Sequence, residues 1–219
     1  IYEELGTQVI MNIAGSSEDE YIRILERMEE VSNPVCGYEI NISCPNVEKG
    51  GMEFGVNIEM TRSLTRKLRE RTNKLLIMKL SPNVTDIGDI ARAAEDGGAD
   101  ALSAINTVLG MSINTSTLRP NISTVLGGLS GPAIRPVGIA CVYRVSQAVS
   151  IPVMGIGGIT SAGDAVEYFL AGACAVQVGT ASFRDPGIAL TVLEGIRAYC
   201  EDHHLGTVTD LVGRLAENS

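Results

Sequence analysis

The sequence predicts an α/β fold, a (β/α)8 barrel of the TIM-barrel type. Three observations lead to this prediction. Short apolar, strand-like runs alternate with helix-period runs along the chain. Polar residues or glycine follow nearly every strand-like run. The strand-like runs number six, two fewer than a full barrel has. We therefore expect one domain, residues 1–219, in which the first two βα units of the barrel are missing.

The strand-like runs are short and aliphatic, which is typical of strands that are covered on both faces of a parallel sheet. Between them, apolar residues recur at spacings of three and four, as they do in amphipathic helices. The predicted strands are 9–14, 38–43, 75–80, 101–106, 152–156 and 175–179. The predicted helices are 19–31, 60–72, 86–97, 134–149, 162–171 and 187–202.

An open doubly wound sheet is the competing parallel architecture, and the residues at the strand ends help to choose between the two. A barrel brings the carboxyl ends of its strands to one pocket, whereas an open sheet spreads them along a line. The predicted strand ends carry polar side chains or glycine, which suits a shared pocket. These residues are Asn12, Asn41, Cys44, Lys79, Asn106, Thr107, Gly157, Gly158, Gly179 and Thr180.

Composition and charge favour a small-molecule ligand. The chain has 219 residues, of which 45% are hydrophobic and only 4% aromatic, and its formal net charge is −9. An acidic surface opposes binding to nucleic acid or to an anionic membrane, because both are held by clustered Lys and Arg. No apolar run approaches the roughly 20 residues that span a bilayer, and the start of the sequence does not resemble a targeting peptide.

The five cysteines predict a reducing, cytoplasmic location. Their number is odd, no Cys-x-x-Cys pair occurs and no secretory signal is visible, so neither a disulfide framework nor a metal or iron–sulfur site is expected. Four of them, Cys36, Cys141, Cys174 and Cys200, lie in apolar or helical runs and are expected to be structural. The two histidines, His203 and His204, are expected to be exposed at a helix end, which disfavours imidazole catalysis.

Cys44 is the candidate for chemistry. It follows the strand-like run 38–43, and Pro45, which cannot donate to a sheet ladder, is expected to end that strand. A thiol at the carboxyl end of a barrel strand is positioned to act on a ligand. The alternative is a small buried residue, the usual state of a free cysteine. Because Cys44 lies outside any apolar run, the sequence favours the functional interpretation.

Three glycine-rich segments predict a phosphate site. Segments 127–132, 155–158 and 178–181 each follow or approach a strand and can turn backbone N–H groups toward an anion. One such segment is a weak signal, because tight turns also need glycine. Two segments at the last two strands strengthen the signal, since these strands commonly share the phosphate site of a barrel.

Charged and amide side chains complete the candidate site. Lys79 closes an otherwise apolar strand, and a buried lone ammonium is costly, so we expect it to meet an anion in the pocket. The alternative is a lysine that extends to solvent at the rim. Amide and hydroxyl groups that both donate and accept would suit a flat heterocycle, although each one alone could be a turn residue. They belong to Asn41, Asn46, Asn106 and Thr107.

Residues 41–47, with glycines at 50–51 and 55, closely resemble the catalytic segment of class 1 dihydroorotate dehydrogenases. Further matching segments follow in family order and spacing, at 78–83, 104–107, 127–134, 155–158 and 178–180. The resemblance covers essentially the whole chain, and residues 129–134 are similar to the NAD-linked, two-subunit branch, class 1B. The family's early strands, which carry a substrate-binding lysine and an Asn-rich loop, are not present in this sequence.

The resemblance implies an FMN enzyme that oxidises dihydroorotate to orotate in de novo pyrimidine (UMP) biosynthesis. Cys44 would be the base that takes a proton from C5, while hydride leaves C6 for N5 of FMN. Lys79 would stabilise negative charge on the flavin. The residues implied to hold the pyrimidine are Asn41, Asn46, Asn106 and Thr107. Those implied to contact FMN are Asn12, Asn41, Lys79, Ile105, Gly131, Gly157, Gly158, Gly179 and Thr180.

The resemblance also implies a partner. No iron–sulfur ligand set is visible, so electrons would reach NAD through a second subunit that carries FAD and a [2Fe-2S] cluster, in a heterotetramer built on a homodimer of catalytic subunits. Four alternatives stay open: a fumarate-linked class 1A enzyme, an FMN barrel like that of dihydropyrimidine dehydrogenase, a non-redox isomerase or aldolase of phosphorylated metabolites, and a catalytically impaired FMN-binding fragment. The second is disfavoured by Asn46 after Pro45.

Overall fold

Six parallel strands form the central sheet of the computed structural model, which describes residues 6–31, 34–43, 45–46 and 52–216. Strands that follow one another in sequence are neighbours in the sheet, and each pair is parallel. The strands are β1 (Val9–Ala14), β2 (Val35–Asn41), β3 (Leu75–Leu80), β4 (Ala101–Ala104), β5 (Val153–Ile156) and β6 (Ala175–Gln177). The predicted α/β fold is confirmed.

Helices make the crossovers that parallel neighbours require. Polar caps start several of them: the Ser17 hydroxyl accepts from the Glu20 N–H at 3.2 Å, and the Ser161 hydroxyl accepts from the Asp164 N–H at 3.2 Å. The α-helices are α1 (Glu18–Glu30), α2 (Ile58–Arg69), α3 (Ile87–Asp96), α4 (Arg135–Ala148), α5 (Ala162–Leu170), α6 (Ala181–Arg184) and α7 (Ile188–Asp202). Within the described ranges, no helix combines the length and apolarity needed to cross a membrane.

The sheet is strongly curled. Glu39 on β2 and Gln177 on β6 are separated by three intervening strands, yet Gln177 Nε2 donates to Glu39 Oε1 at 2.8 Å. In a flat sheet these strands would lie about 19 Å apart, at roughly 4.8 Å for each strand spacing. The concave face therefore encloses an interior, as in a barrel wall, and the carboxyl ends of the strands surround its mouth.

The two faces of the sheet differ in chemistry. On the convex face, alternate side chains such as Ile40 and Met78 are fully buried against the helices, where Leu64 and Leu68 of α2 are also fully buried. Burial of one such aliphatic side chain contributes about 1.5–3 kcal/mol to folding. On the concave face, polar residues of several strands meet inside the curl. The sequence pattern thus separates an apolar outer layer, which holds the fold together, from a polar interior, which lies below the strand ends.

Strand β2 begins and ends earlier than predicted, since it spans Val35–Asn41 rather than residues 38–43. The Asn41 side chain closes a turn by accepting the N–H of Ser43 at 3.2 Å. Its carbonyl oxygen accepts the Tyr21 hydroxyl at 2.5 Å, so α1 also fixes this strand end. A similar difference occurs at β4, which ends at Ala104 and is followed by a cis peptide bond to Ile105.

The described residues that flank the segment containing Cys44 are in contact with each other. The N–H of Gly55 donates to the carbonyl of Ile42 at 2.8 Å, which joins the two ends of this segment. Beside them, the rings of Tyr21 and Phe54 pack edge to face with centroids 5.4 Å apart. We call Ile42, Phe54 and Gly55 the neck of this segment. All three residues are buried, and Ile42 and Phe54 belong to the hydrophobic core.

The connection between β4 and α4 contains an excursion that the sequence did not predict. Two short antiparallel pairs build it, Val108–Gly110 with Gly127–Leu129 and, further out, Ile113–Asn114 with Arg119–Pro120. Strands of two or three residues carry too little alternation to be recognised from hydrophobic periodicity. The inner pair leads back to the mouth of the curled sheet and brings Gly131 to it.

Candidate functional site

A pocket lies at the carboxyl ends of β3 to β6. It is open to one side, as a ligand site at the mouth of a barrel is. Nine residues that the sequence singled out line it together: Lys79, Ile105, Asn106, Thr107, Gly131, Gly157, Gly158, Gly179 and Thr180. The lining that the sequence did not single out consists of Ser130, Ile134, Ile156, Ile159, Thr160 and Ala181.

One end of the pocket is built by glycines in conformations that other residues avoid. Gly131, Gly157 and Gly158 have φ of 87°, 133° and 71°. A Cβ atom on Gly158 would lie 2.7 Å from the Gly131 carbonyl oxygen and 3.0 Å from the Arg135 nitrogen at the start of α4. A Cβ on Gly179 would meet nothing within 4 Å, because this glycine faces open space. The backbone at Gly158 is therefore packed closely against Gly131 and the start of α4, whereas the backbone at Gly179 leaves open space for a ligand.

The same end offers free backbone donors. Among the residues that the structure describes, no hydrogen-bond acceptor is found for the N–H groups of Gly158 and Gly179. The first turn of α4 adds the positive end of a helix dipole beside Gly158. Unpaired N–H groups beside a helix N-terminus are a suitable environment for an anion such as a phosphate.

Tyr168 supports this glycine turn from below. The tyrosine is fully buried on α5, and its hydroxyl donates to the Gly157 carbonyl at 2.8 Å. Neighbouring glycines make room for it, since a Cβ on Gly155 would lie 2.4 Å from the Tyr168 ring and one on Gly138 would lie 2.0 Å from its hydroxyl oxygen. The packing explains why glycine stands at positions 138 and 155, which lie outside the pocket lining.

Tyr168→Phe is expected to loosen the glycine turn without disrupting the core. The substitution removes one buried hydrogen bond and leaves the Gly157 carbonyl without its donor. This should lower the free energy of unfolding by about 1–3 kcal/mol. Denaturant unfolding of the complete protein measures this loss. Tyr199→Phe on α7, where the ring stacks on His203, is the matched control. Equal stabilities for both variants would contradict the support that we assign to the Tyr168 hydroxyl.

Two amide side chains meet at the other end of the pocket: Asn106 belongs to the lining, and Asn41 lies beside it, outside the lining. Asn106 Nδ2 donates to Asn41 Oδ1 at 2.8 Å, so two of the predicted pyrimidine-binding residues are paired. Asn106 Oδ1 in turn accepts the N–H of Thr107 at 2.8 Å. Each of these groups keeps further donor or acceptor capacity, because an amide offers two N–H bonds and two lone pairs. The pair is thus oriented before any ligand is bound.

Asn83 holds the loop that carries Thr107, a role that the sequence analysis missed. Its Nδ2 donates to the Thr107 carbonyl at 3.0 Å, and its Oδ1 accepts the Leu109 N–H at 2.9 Å. Asn83 follows β3, so one side chain joins the segments after two neighbouring strands. The sequence signal for this role was the position of Asn83 just after a predicted strand. An asparagine at such a position is equally typical of a simple turn, so the signal was not specific.

Lys79 forms an ion pair inside the curled sheet. Its Nζ lies 3.5 Å from Glu39 Oε2, and the two side chains are 15% and 8% exposed. The sequence analysis expected Lys79 to meet an anion in the pocket, and the structure places a carboxylate of the chain itself beside its ammonium. Both groups lie on the concave face, where Asn12 Nδ2 also donates to Glu39 Oε2 at 2.6 Å.

Glu39 is the ionisable group that the sequence analysis missed. Its Oε1 accepts from Ser103 Oγ at 2.7 Å as well as from Gln177. Burial opposes ionisation, but the Lys79 ammonium and the hydrogen-bond donors outweigh it and hold the pKa of Glu39 below its usual value. The signal was its spacing of two from Asn41, which places both side chains on the same face of β2.

Two predicted site residues, Cys44 and Asn46, belong to the segment that follows β2. Cys44, the predicted base, lies outside the described residues. Asn46 belongs to a short strand, Pro45–Asn46, that pairs antiparallel with Met52–Glu53, and its backbone alone is described. Their roles stay predictions.

A curled parallel sheet with a glycine-lined pocket and an inward lysine at its strand ends defines the class of α/β barrel-type enzymes. Within that class, the family model described as "Dihydroorotate dehydrogenase" matches residues 2–199. The chain belongs to this family. It is therefore an enzyme of the oxidoreductase class, in a family that depends on FMN. The predictions of family and enzyme class are confirmed.

Relatives of known name share close to half of the sequence. Proteins named dihydroorotate dehydrogenase B (NAD(+)), catalytic subunit, are 46% identical in Bacteroides fragilis and 48% identical in Geotalea uraniireducens. The first alignment covers 97% of this chain and 70% of the relative, and the second covers 96% and 69%. The solved structure of a dihydroorotate dehydrogenase from Eimeria tenella, in complex with ferulenol, has a TM-score of 0.73 at 25% identity. That match covers 90% of this chain and 57% of the solved chain.

Proposed function

We propose that this chain is the larger part of the catalytic subunit of an NAD-linked dihydroorotate dehydrogenase. It would oxidise dihydroorotate to orotate in cytoplasmic de novo pyrimidine biosynthesis. The observation that carries the proposal is a pocket in which four strand ends assemble a glycine cradle, an inward lysine and Asn106, whose amide is oriented by Asn41 beside the lining. The names of the relatives support the same activity.

The residues present fit FMN. Free N–H groups at Gly158 and Gly179 suit its phosphate, and Lys79 further along the pocket suits the electron-rich edge of its ring system. Other residues proposed to contact it are Asn12, Asn41, Ile105, Gly131, Gly157 and Thr180. When bound, FMN supplies the hydride acceptor that no side chain of the chain can provide. The chain's own contribution is to hold that group and to place a positive charge beside it.

The amide end of the pocket suits the substrate. Dihydroorotate carries amide edges and a carboxylate, which asparagine side chains and a threonine hydroxyl can bind by donating and accepting at once. The residues proposed for this role are Asn41, Asn46, Asn106 and Thr107. The Cys44 thiolate would take the proton from C5 of the substrate, since a thiol with a pKa near 8.5 is an effective base once ionised.

We further propose that the complete protein closes the sheet into an eight-stranded barrel. In the described residues, β1 and β6 are the two edges of the sheet and do not pair with each other. Two more βα units would join these edges and would account for part of the relatives' length that this chain does not match.

A partner subunit is expected to carry electrons from the flavin to NAD. We propose that it holds FAD and a [2Fe-2S] cluster and that catalytic subunits pair as a homodimer within a heterotetramer. The complete protein, purified with and without the partner, tests this. NAD reduction by dihydroorotate should require the partner, while a diffusible dye should accept electrons without it. Comparable NAD turnover by the catalytic subunit alone would contradict the proposed electron path.

A further inference from the structure

We infer that Glu39 is a positioning residue for the flavin site: it anchors Lys79 inside the curled sheet and aims its ammonium at the pocket. This inference rests on the proposed binding of FMN. The four residues that bind Glu39 come from four other strand segments, and they are Asn12, Lys79, Ser103 and Gln177.

The first step is that Glu39 is held rigidly. Both carboxylate oxygens are engaged: Oε1 accepts from Ser103 and Gln177, and Oε2 accepts from Asn12 and faces Lys79. The residue is 6% exposed. A carboxylate with several neutral donors and one cation is ionised and confined to one orientation.

The second step is that Lys79 is held from one side only. An ammonium has three N–H bonds, and in the described part of the chain Glu39 is the carboxylate that it approaches. The same lysine lines the pocket. Its remaining N–H bonds are therefore available on the pocket side, where a ligand with electron-rich oxygen or nitrogen atoms can accept them. Without Glu39, the flexible four-carbon stem would have no fixed orientation.

The third step concerns charge. A buried ammonium without a counter-charge is unfavourable, and Glu39 removes this penalty in the protein before the ligand is bound. A pre-oriented cation stabilises negative charge on a ligand more effectively than one that must reorient on binding. Glu39 therefore acts on the flavin through Lys79 rather than by touching it.

A double-mutant cycle in the complete protein tests the inference, with Glu39→Gln, Lys79→Met and the double variant. We expect Glu39→Gln to weaken FMN binding by about tenfold, because an ammonium without a fixed orientation forms a weaker hydrogen bond to the ligand, and to change the flavin reduction potential when Lys79 is present. The double variant should shift the potential no further than Lys79→Met alone. Glu39→Asp, which keeps the charge but shortens the side chain, should lie between the wild type and Glu39→Gln.

The control is Glu95→Gln. Glu95, in the last turn of α3, also accepts several hydrogen bonds, from the N–H and hydroxyl of Ser150 and from the N–H of Ile151. These two residues precede β5 at its amino end, away from the pocket. The Glu95→Gln variant should have the FMN affinity and the flavin reduction potential of the wild type. A Glu39→Gln effect on the potential that persists with Lys79→Met would overturn the inference, and so would a lower unfolding temperature with unchanged affinity and potential.

Failure of the proposed function is distinguishable. Wild-type protein that shows no flavin absorbance and no binding of added FMN would overturn the proposed function and, with it, the flavin role of Glu39. In the cofactor-free protein, thermal unfolding should still show coupling between the two substitutions. Additive effects there, with normal FMN binding by the wild type, would overturn only the ion-pair anchor and leave the proposed function standing.

Discussion

Cys44→Ala in the complete protein is expected to lower dihydroorotate turnover by about 10²–10⁴-fold, the usual contribution of a positioned general base. Most of the proposed FMN-binding residues lie at the ends of β3 to β6 rather than beside Cys44, so the variant should stay yellow. Anaerobic mixing with dihydroorotate, followed by loss of the flavin absorbance, measures the step directly. Cys44→Ser should be slower than the wild type, because a hydroxyl is ionised far less readily than a thiol.

Cys174→Ala provides a matched control for the thiol. Cys174 is exposed and directly precedes β6, at the amino end of the sheet and thus opposite the pocket. Its replacement should leave flavin reduction at the wild-type rate. If Cys44→Ala retained turnover within a few-fold of the wild type, another group would have to take the C5 proton and our assignment of Cys44 would be wrong.

Gly158→Ala is expected to weaken FMN binding. The residue has φ of 71°, a region that costs an L-amino acid about 1–2 kcal/mol. The new methyl group would also press on the Gly131 carbonyl and on the start of α4. Since the Gly158 N–H is a proposed phosphate donor, its displacement should weaken FMN affinity by at least about tenfold. Titration of the apoprotein with FMN, followed by flavin fluorescence, gives the dissociation constant.

Gly163→Ala is the matched control for a glycine substitution. Gly163 lies in α5, and a Cβ there would meet only the Ser161 hydroxyl, at an ordinary 3.7 Å. Alanine in a helix is better than glycine by about 0.5–1 kcal/mol, so this variant should be as stable as the wild type or more so, with unchanged FMN affinity. Equal FMN affinities for the Gly158 and Gly163 variants would argue against a phosphate site at the glycine turn.

The positions of strands and helices could be predicted because they depend on local periodicity. The predicted strand 75–80 coincides with β3, and the predicted helix 162–171 extends one residue beyond α5. Errors arose where a side chain ended an element early, as Asn41 ends β2 by accepting the Ser43 N–H. Hydrophobic alternation does not report such a local hydrogen bond.

The pocket lining was predictable in composition but not in its internal connections. Glycine segments and amides can be recognised in the sequence, since few other residues adopt positive φ or both donate and accept hydrogen bonds. The partners of Glu39 could not be found in this way, because Gln177 lies 138 residues further along the chain and becomes a neighbour only when the sheet curls. The degree of curl is a property of the assembled strands, and no single segment encodes it.

The neck at Ile42, Phe54 and Gly55 separates the scaffold from the stretch that bears the proposed base. Since exit and re-entry are fixed by a backbone hydrogen bond and by aromatic packing, neither depends on which side chains stand in between. New residues could therefore be tried in that stretch, including a different proton acceptor at position 44, while the architecture that supports them stays as it is. Reactivity and framework can vary separately in such an arrangement, which is a useful property for evolving or redesigning the enzyme.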